Sequence, residues 1–292
     1  MTLWFLFKAA RPHQWTKNLI IFAPLIFSLN MFNIPLMLKA AATFLVFCLL
    51  SGALYVYNDI RDVEEDRRHP LKSKRPLASG RITPGQAWAE SVMLLAVSLT
   101  GAFFLGRSIF LMAFFYLVLQ ISYTSYLKHV VILDVFVIAA GFILRVAAGG
   151  LAIAVSISPW LLICTLLLAL FLAMSKRRHE LILLEGDASR HRPILQEYSP
   201  YLLDQMIAVM TASTVIAYCL YTISPETVDK FGTSELIYTV PFVIYGILRY
   251  LYLVHRKSGG GTPEYLILRD RPLMLDIVFW IVSASLIIYL GA

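Results

Sequence analysis

Long apolar runs with almost no charge are the feature that most constrains how this sequence can fold. A helix needs about 20 mostly apolar residues to cross the roughly 30 Å hydrocarbon core of a bilayer. A single strand would leave its backbone groups unpaired in lipid, so we predict that every span is a helix. The nine predicted spans are residues 18–36, 40–58, 86–106, 108–126, 133–154, 160–175, 205–223, 237–254 and 273–290.

The composition supports the same fold class. Hydrophobic residues make up 59% of the 292 residues and charged residues 15%, whereas soluble proteins average about 45–50% and about 25%. These values exclude soluble, disordered and disulfide-stapled proteins. The cysteines Cys48, Cys164 and Cys219 stand singly in apolar runs, which indicates neither a disulfide framework nor a thiolate metal site. We predict an all-α, polytopic membrane protein in which residues 1–292 form a single transmembrane domain.

The basic residues are distributed unevenly between the two sides of this predicted membrane protein. Nine spans would place 20 of the 25 Lys and Arg residues on one side, which the positive-inside rule identifies as cytoplasmic. The segments on that side are 1–17, 59–85, 127–132, 176–204 and 255–272. Basic loops beside a membrane explain the net charge of +7 without a nucleic-acid partner. We predict a multi-pass protein of the plasma membrane, with its functional face in the cytoplasm.

Carboxylates crowd the cytoplasmic end of the second predicted span. On a helix, Asn58, Tyr55, Asp59, Asp62 and Asp66 would share an arc of about 100°. Like charges at this spacing destabilise a helix and require a counterion. Oxygen ligands of this kind suit Mg²⁺, which typically binds one or two carboxylates and the phosphates of a substrate. A solvated helix end beside arginines is the alternative. Because the arc continues directly from a membrane span, we favour Mg²⁺ held by Asn58, Asp62 and Asp66, with Asp59 in support.

A basic segment, residues 67–81, follows the carboxylates and includes Lys72 and Arg75. Carboxylates that hold Mg²⁺ next to several fixed cations would form a site for a phosphate or diphosphate. Some of these cations would serve only to orient the loop in the cytoplasm.

Two charged residues lie on the fifth predicted span. Asp134 and Arg145 differ by about 20° of helix rotation, and Arg145 would lie roughly 16 Å deeper in the membrane. An arginine at that depth costs at least about 2.5 kcal/mol unless it faces a polar cavity or partner. The sequence leaves two interpretations open, an internal ion pair or a phosphate or ribose ligand in a cavity.

These motifs resemble those of the UbiA-type intramembrane prenyltransferases. The first aspartate-rich motif of that family is matched by Asn58, Asp59, Asp62 and Asp66, followed by Arg75, Pro76, Leu77, Ser79 and Gly80. The resemblance implies nine helices around a cytoplasm-facing cavity. Tyr126 and Lys128 are similar to the family's Tyr-x-Lys diphosphate contact, and Lys17 opens the first span beside the same face.

Further segments resemble one subfamily, the decaprenyl-phosphate phosphoribosyltransferases. They are Arg11-Pro12-x-Gln14-Trp15-x-Lys17-Asn18, Asp62-Val63-Glu64-x-Asp66-Arg67, Leu127-Lys128-His129, Lys176-Arg177-Arg178-x-Glu180-Leu181, Pro263-Glu264 and Asp270-Arg271-Pro272-Leu273. Such enzymes join a polyprenyl phosphate to phosphoribosyl pyrophosphate, which implies a role in supplying activated pentose for cell-wall arabinan.

The loop after the sixth predicted span supports this subfamily on physical grounds. Prenyltransferases with aromatic acceptors carry a second aspartate-rich motif there, whereas residues 175–187 contain no DxxxD pair and include three successive cations. A donor with an added 5-phosphate suits one metal site plus Lys and Arg contacts. We therefore predict that Lys176 and Arg177 bind substrate, and the resemblance implies the same for Glu180. The alternative is that the cations only anchor a helix end.

The sequence thus predicts an Mg²⁺-dependent enzyme that transfers 5-phosphoribosyl from phosphoribosyl pyrophosphate to a polyprenyl phosphate such as decaprenyl phosphate. One alternative is a prenyltransferase that moves a prenyl group from its diphosphate to an aromatic or other small acceptor. The other is a transporter with a carboxylate ion site, although such sites usually lie near the bilayer midplane. The sequence leaves the oligomeric state open, a homo-oligomer included.

Overall fold

Helices are the only regular secondary structure in the part that our computed structural model describes, which is residues 2–183, 193–256, 266 and 269–290. Eight helical segments in this part are long and apolar enough to cross a membrane. They are Ile34–Arg61, Pro84–Leu105, Arg107–Ser125, Leu133–Ala152, Pro159–Leu183, Pro200–Ile223, Glu235–Arg256 and Arg271–Leu290. The predicted all-α, multi-pass fold is confirmed, whereas the count of nine spans is not.

The difference lies in the first predicted span, residues 18–36. The chain there forms α1 (Thr2–Ala9), a 3₁₀ segment (Pro12–Phe22) and the short helix α2 (Ala23–Phe27) before the long helix α3 (Ile34–Arg61). A 3₁₀-helix rises about 2.0 Å per residue, so the stretch from Pro12 to Phe27 covers about 30 Å. It therefore has the length of a membrane crossing without being an α-helix, and a ninth crossing stays a prediction.

The first compact unit comprises Met1–Val137 and Gly141–Ile157. Besides α1 to α3 it contains α4 (Val63–Arg68), α5 (Pro84–Leu105), α6 (Arg107–Ser125) and nearly all of α7 (Leu133–Ala152). Helix α3 packs along α5 and also contacts α6 and the 3₁₀ segment. Their shared apolar core includes Ile21, Phe47, Leu50, Ala102 and Ala113. This packing fixes the end of α3, where the carboxylates lie.

One glycine permits a close contact within this unit. A Cβ atom at Gly149 of α7 would lie 2.1 Å from the carbonyl oxygen of Ile21 in the 3₁₀ segment. The neighbour is backbone, which cannot rotate away as a flexible side chain could. Glycine is therefore required where α7 packs against the segment that carries Lys17 and Asn18.

The second compact unit comprises Ser158–Ala292 with residues 138–140 of α7. Its helices are α8 (Pro159–Leu183), α9 (Pro200–Ile223), α10 (Pro225–Phe231), α11 (Val240–Arg256) and α12 (Arg271–Leu290). Helix α9 packs against both α8 and α11, and α11 packs against α12. It stays a prediction that both units form a single functional domain over residues 1–292.

Candidate active site

The carboxylates lie where helix α3 ends, and the helix breaks within the motif. Asp62 has φ −100° and ψ 12°, so α3 ends at Arg61 and α4 begins at Val63. The expectation of one continuous helix is wrong in this detail. Backbone hydrogen bonds nevertheless bridge the break, from Asp62 N to Asn58 O at 3.0 Å and from Asp66 N to Asp62 O at 2.8 Å. The motif therefore keeps its helical spacing even though the helix axis is interrupted.

Asp59 and Asp66 are buried and share one cation. They are 3% and 2% exposed. Nη1 of Arg75 donates to Oδ1 of Asp59 at 3.0 Å and to Oδ2 of Asp66 at 2.5 Å. Arg75 follows the 3₁₀ turn Lys72–Lys74, so the basic loop folds back onto the carboxylates. A single guanidinium nitrogen thus lies between two carboxylates that the sequence placed in the metal site.

A second cation reaches Asp59 from the N-terminal segment. The guanidinium of Arg11 forms an ion pair with Asp59 and lies 5.1 Å from the centroid of the Tyr55 ring. Arg11 adopts a left-handed backbone conformation, φ 53° and ψ 61°, at the junction of α1 and the 3₁₀ segment. Sequence reasoning did not include Arg11 among the site residues. Its only signal was its place in the Arg-Pro-x-Gln-Trp segment.

A third cation binds the remaining carboxylate. Nζ of Lys128 lies 2.9 Å from Oδ1 of Asp62, and it reaches this position from the short 3₁₀ turn Leu127–His129 between α6 and α7. The turn continues into Ile132, a β-branched residue at φ 69°, a backbone conformation found at strained positions. Tyr126, which the sequence paired with Lys128, is 69% exposed, and its part in the site stays a prediction.

The donor set fits a hard divalent cation together with phosphate. Three carboxylates supply the oxygen ligands that Mg²⁺ prefers, and the cations on them are groups that bind phosphate oxygens. Within the described ranges, no three His, Cys, Asp or Glu side chains are already arranged to hold a metal. Burial raises the pKa of Asp66, while the nearby charges of Arg75 and Lys72 oppose this rise. The carboxylates are therefore chemically suited to Mg²⁺ but are engaged by Arg11, Arg75 and Lys128.

Arg145 lies buried within the same unit, among neutral partners. It donates from Nε to Oδ1 of Asn18 at 2.6 Å, from Nη1 to the carbonyl of Gly141 at 2.9 Å, and from Nη2 to the Tyr116 hydroxyl at 2.5 Å. Asp134 is buried too, at the start of α7. The internal ion pair and the ligand role that the sequence left open for these two residues both stay predictions. Lys17, half-buried, precedes Asn18 in the 3₁₀ segment.

The cations predicted to bind a 5-phosphate lie in the second unit and differ in their burial and in their ion-pair partners. Arg177 is 1% exposed, and its Nη1 donates to Oε2 of Glu180 at 2.7 Å. Arg178 pairs with Asp204 of α9 at 2.5 Å, and Lys176 is partly exposed. Their role in substrate binding stays a prediction. Residues 184–187 of this loop and the Pro263-Glu264 segment lie outside the described residues.

The family model and the relatives described below agree on one protein family. Residues 3–266 match the UbiA prenyltransferase family. The chain is 34% identical over 289 residues to the decaprenyl-phosphate phosphoribosyltransferase of Corynebacterium glutamicum, covering 97% of this chain and 86% of that protein. It is 33% identical over 290 residues to the protein of that name from Mycobacterium tuberculosis, covering 97% of this chain and 94% of that protein.

A solved structure shows the same fold. It is described as a UbiA homolog from Archaeoglobus fulgidus bound to GPP and Mg²⁺, and it superposes with a TM-score of 0.72 at 18% identity. The match covers 98% of this chain and 99% of that one.

Proposed function

Because the chain belongs to the UbiA prenyltransferase family, we propose that it transfers a 5-phosphoribosyl group from phosphoribosyl pyrophosphate to a polyprenyl phosphate such as decaprenyl phosphate. Near-complete matches to two proteins named decaprenyl-phosphate phosphoribosyltransferase support this choice of substrates. The product would be a precursor of cell-wall arabinan. The reaction would occur at the cytoplasmic face of the membrane, because the basic loops gather on that side.

The observation that carries the proposal is the pairing of three carboxylates with three phosphate-binding cations at the end of α3. The pairs are Asp59 with Arg11, Asp59 and Asp66 with Arg75, and Asp62 with Lys128. A reaction that releases diphosphate needs both kinds of group, the carboxylates for a divalent cation and the cations for phosphate oxygens. A simple topogenic loop needs only the cations.

In this proposal, Asn58, Asp62 and Asp66 hold Mg²⁺, with Asp59 in support. When bound, Mg²⁺ would neutralise charge on the leaving diphosphate. Lys128 and Arg75 would orient the same diphosphate, so that C1 of the ribose faces the acceptor. The acceptor phosphate is largely ionised near neutral pH, so the protein need not supply a general base. Positioning and charge stabilisation are the main catalytic contributions, and in-line attack would invert the configuration at C1.

The remaining predicted residues would bind the rest of the two substrates. Lys176 and Arg177 would bind the 5-phosphate, Glu180 would be a further substrate-binding residue beside them, and Lys72 would add positive charge near Asp66. The other proposed substrate-binding residues are Lys17, Tyr55, Tyr126, Asp134 and Arg145. Of these, Tyr55 has the most direct support, because its ring contacts the guanidinium that pairs with Asp59.

One observation favours a second candidate, transfer of a prenyl group from a prenyl diphosphate. The A. fulgidus homolog of this fold is bound to GPP and Mg²⁺. Both reactions would use the carboxylates at the end of α3, so this part of the site does not separate them. The two reactions are separated by which donor substrate the protein binds.

Thermal unfolding of the purified protein in detergent tests the choice of donor. A ligand that binds the folded protein raises its unfolding temperature. With Mg²⁺ present, phosphoribosyl pyrophosphate should raise the temperature more than geranyl diphosphate does, and ribose 5-phosphate should raise it least. Stronger protection by geranyl diphosphate would favour the prenyltransferase instead.

A further inference from the structure

Every carboxylate of the proposed metal site is already neutralised by a basic side chain of the same unit. The three carboxylates Asp59, Asp62 and Asp66 face three cations, Arg11, Arg75 and Lys128. Each carboxylate thus has a paired cation, Lys72 adds further positive charge near Asp66, and the groups are mostly shielded from water, with Asp59 and Asp66 almost completely buried. Adding or removing one charge here would leave a buried charge without a partner, which is costly.

These ion pairs should oppose the binding of a metal alone and permit the binding of a metal together with diphosphate. Mg²⁺ alone would join three cations that already occupy the carboxylates. Diphosphate alone would meet three carboxylates whose counterions are engaged. When both enter, the carboxylates can bind Mg²⁺ while the guanidinium and ammonium groups move to phosphate oxygens. Only joint entry leaves every charged group with a partner.

We propose that Arg75 is a stand-in counterion that makes binding of Mg²⁺ and of diphosphate mutually dependent. Its Nη1 occupies the place between Asp59 and Asp66 where a cation would contact both, and it leaves that place when a diphosphate can receive it. Arg11 and Lys128 act in the same way on Asp59 and Asp62. The inference rests on the proposed function only in taking this site as the one that binds diphosphate.

Arg75 suits this exchange better than the other two cations. It is the one that bridges two carboxylates, so its departure frees both. All three cations lie outside the long helices, and the Arg75 side chain, 22% exposed, is the most exposed of the three. A planar guanidinium binds phosphate as well as carboxylate through paired hydrogen bonds. Arg75 can therefore exchange one anion for the other.

The test measures binding rather than turnover, using Mg²⁺ and inorganic diphosphate as probes. Ligand-dependent shifts in thermal unfolding of the purified chain give the affinity for each probe with and without the other. In the wild type, saturating diphosphate should raise the affinity for Mg²⁺ at least about tenfold, and Mg²⁺ should raise that for diphosphate equally, because coupling is reciprocal. Free Mg²⁺ is held at set concentrations, since Mg²⁺ and diphosphate also associate in solution.

The variant Arg75→Gln should change the two affinities in opposite directions. Without diphosphate, Mg²⁺ should bind about tenfold more tightly, because a competing cation is gone. With saturating Mg²⁺, diphosphate should bind about tenfold more weakly, because a charge-assisted contact is lost. Arg107→Gln is the matched control, since Arg107 is an exposed arginine at the start of α6, outside the basic segment 67–81. That control should behave as the wild type does.

Three results would overturn the proposal. They are equal Mg²⁺ affinity of the wild type with and without diphosphate, an unchanged or weaker Mg²⁺ affinity in Arg75→Gln, and the same changes in Arg107→Gln. If Arg75→Gln does not fold, Arg11→Gln takes its place with the same expected signs. None of these outcomes depends on the donor, so failure of the phosphoribosyl assignment would be seen separately, in turnover.

Discussion

Lys176 and Arg177 are adjacent in the sequence but occupy different surroundings. Arg177 is buried and bonded to Glu180, whereas Lys176 is partly exposed. Removing one partner of a buried ion pair typically costs about 3 kcal/mol or more. A truncated Arg177 would therefore report on folding before it reported on substrate binding. Lys176 is the better residue for testing the proposed 5-phosphate contact.

We expect Lys176→Ala to weaken binding of phosphoribosyl pyrophosphate by roughly ten- to 150-fold, the value of a charge-assisted contact of about 1.5–3 kcal/mol. Competition by inorganic diphosphate should stay nearly unchanged, because the carboxylate site holds that group. Competition binding on wild type and variant gives both numbers. Equal losses for the two ligands would place Lys176 at the diphosphate end, and no loss for either would leave it as a topology anchor.

Asp62 is the most exposed of the three carboxylates and contacts Lys128. Asp62→Asn should abolish turnover at saturating Mg²⁺, because the amide keeps the shape but loses the charge that a metal needs. A cooperative unfolding transition of the purified variant shows that it still folds. Glu64→Gln is the matched control on the same short stretch, since Glu64 is largely exposed. Activity of Asp62→Asn close to that of the control would remove Asp62 from the metal site.

At the scale of single residues, the sequence predicted the acidic residues of the candidate site better than the basic residues that pair with them. The spacing of Asp59, Asp62 and Asp66 follows from helical periodicity, which is local. The contact of Arg11 with Asp59 joins residues 48 apart, and that of Arg145 with Asn18 joins residues 127 apart. Such pairs depend on how helices pack, and one sequence carries no direct signal of that packing.

The N-terminal segment shows the corresponding limit for whole elements. Hydropathy predicted a span over residues 18–36 because it reports length and apolar content, not the type of helix. The structure forms a 3₁₀ segment over Pro12–Phe22 and then a short α-helix over Ala23–Phe27. Two packing features accompany this geometry, the left-handed conformation of Arg11 and the close approach of Ile21 to Gly149.

We expect Gly149→Ala to destabilise the protein by more than about 2 kcal/mol, because the added methyl group would overlap the backbone of Ile21. Gly85→Ala is the matched control, since a Cβ atom there meets nothing within 4 Å. Alanine at that position should be neutral or stabilising by up to about 1 kcal/mol. Unfolding temperatures in detergent measure both effects. Equal stability of the two variants would contradict the close packing of α7 on the 3₁₀ segment.

Across the whole molecule, the charge distribution predicts the orientation in the membrane. If residues 59–85 are cytoplasmic, a cysteine introduced at Ser73 should be protected from a membrane-impermeant thiol reagent in intact cells. A cysteine at Ser234, in the loop between α10 and α11, should be labelled. Both tests use a chain from which Cys48, Cys164 and Cys219 have been removed. Labelling of both positions from the same side would contradict the predicted topology.

The central claim is that the chain moves a phosphoribosyl group onto a lipid phosphate, and one measurement tests it most directly. Purified protein is incubated with Mg²⁺, decaprenyl phosphate and phosphoribosyl pyrophosphate labelled in its ribose, and the organic and aqueous phases are then separated. We expect label to enter the lipid phase with release of one diphosphate per label transferred. Label that stays in the aqueous phase, while the same preparation transfers the prenyl group of geranyl diphosphate to a small acceptor, would contradict the claim.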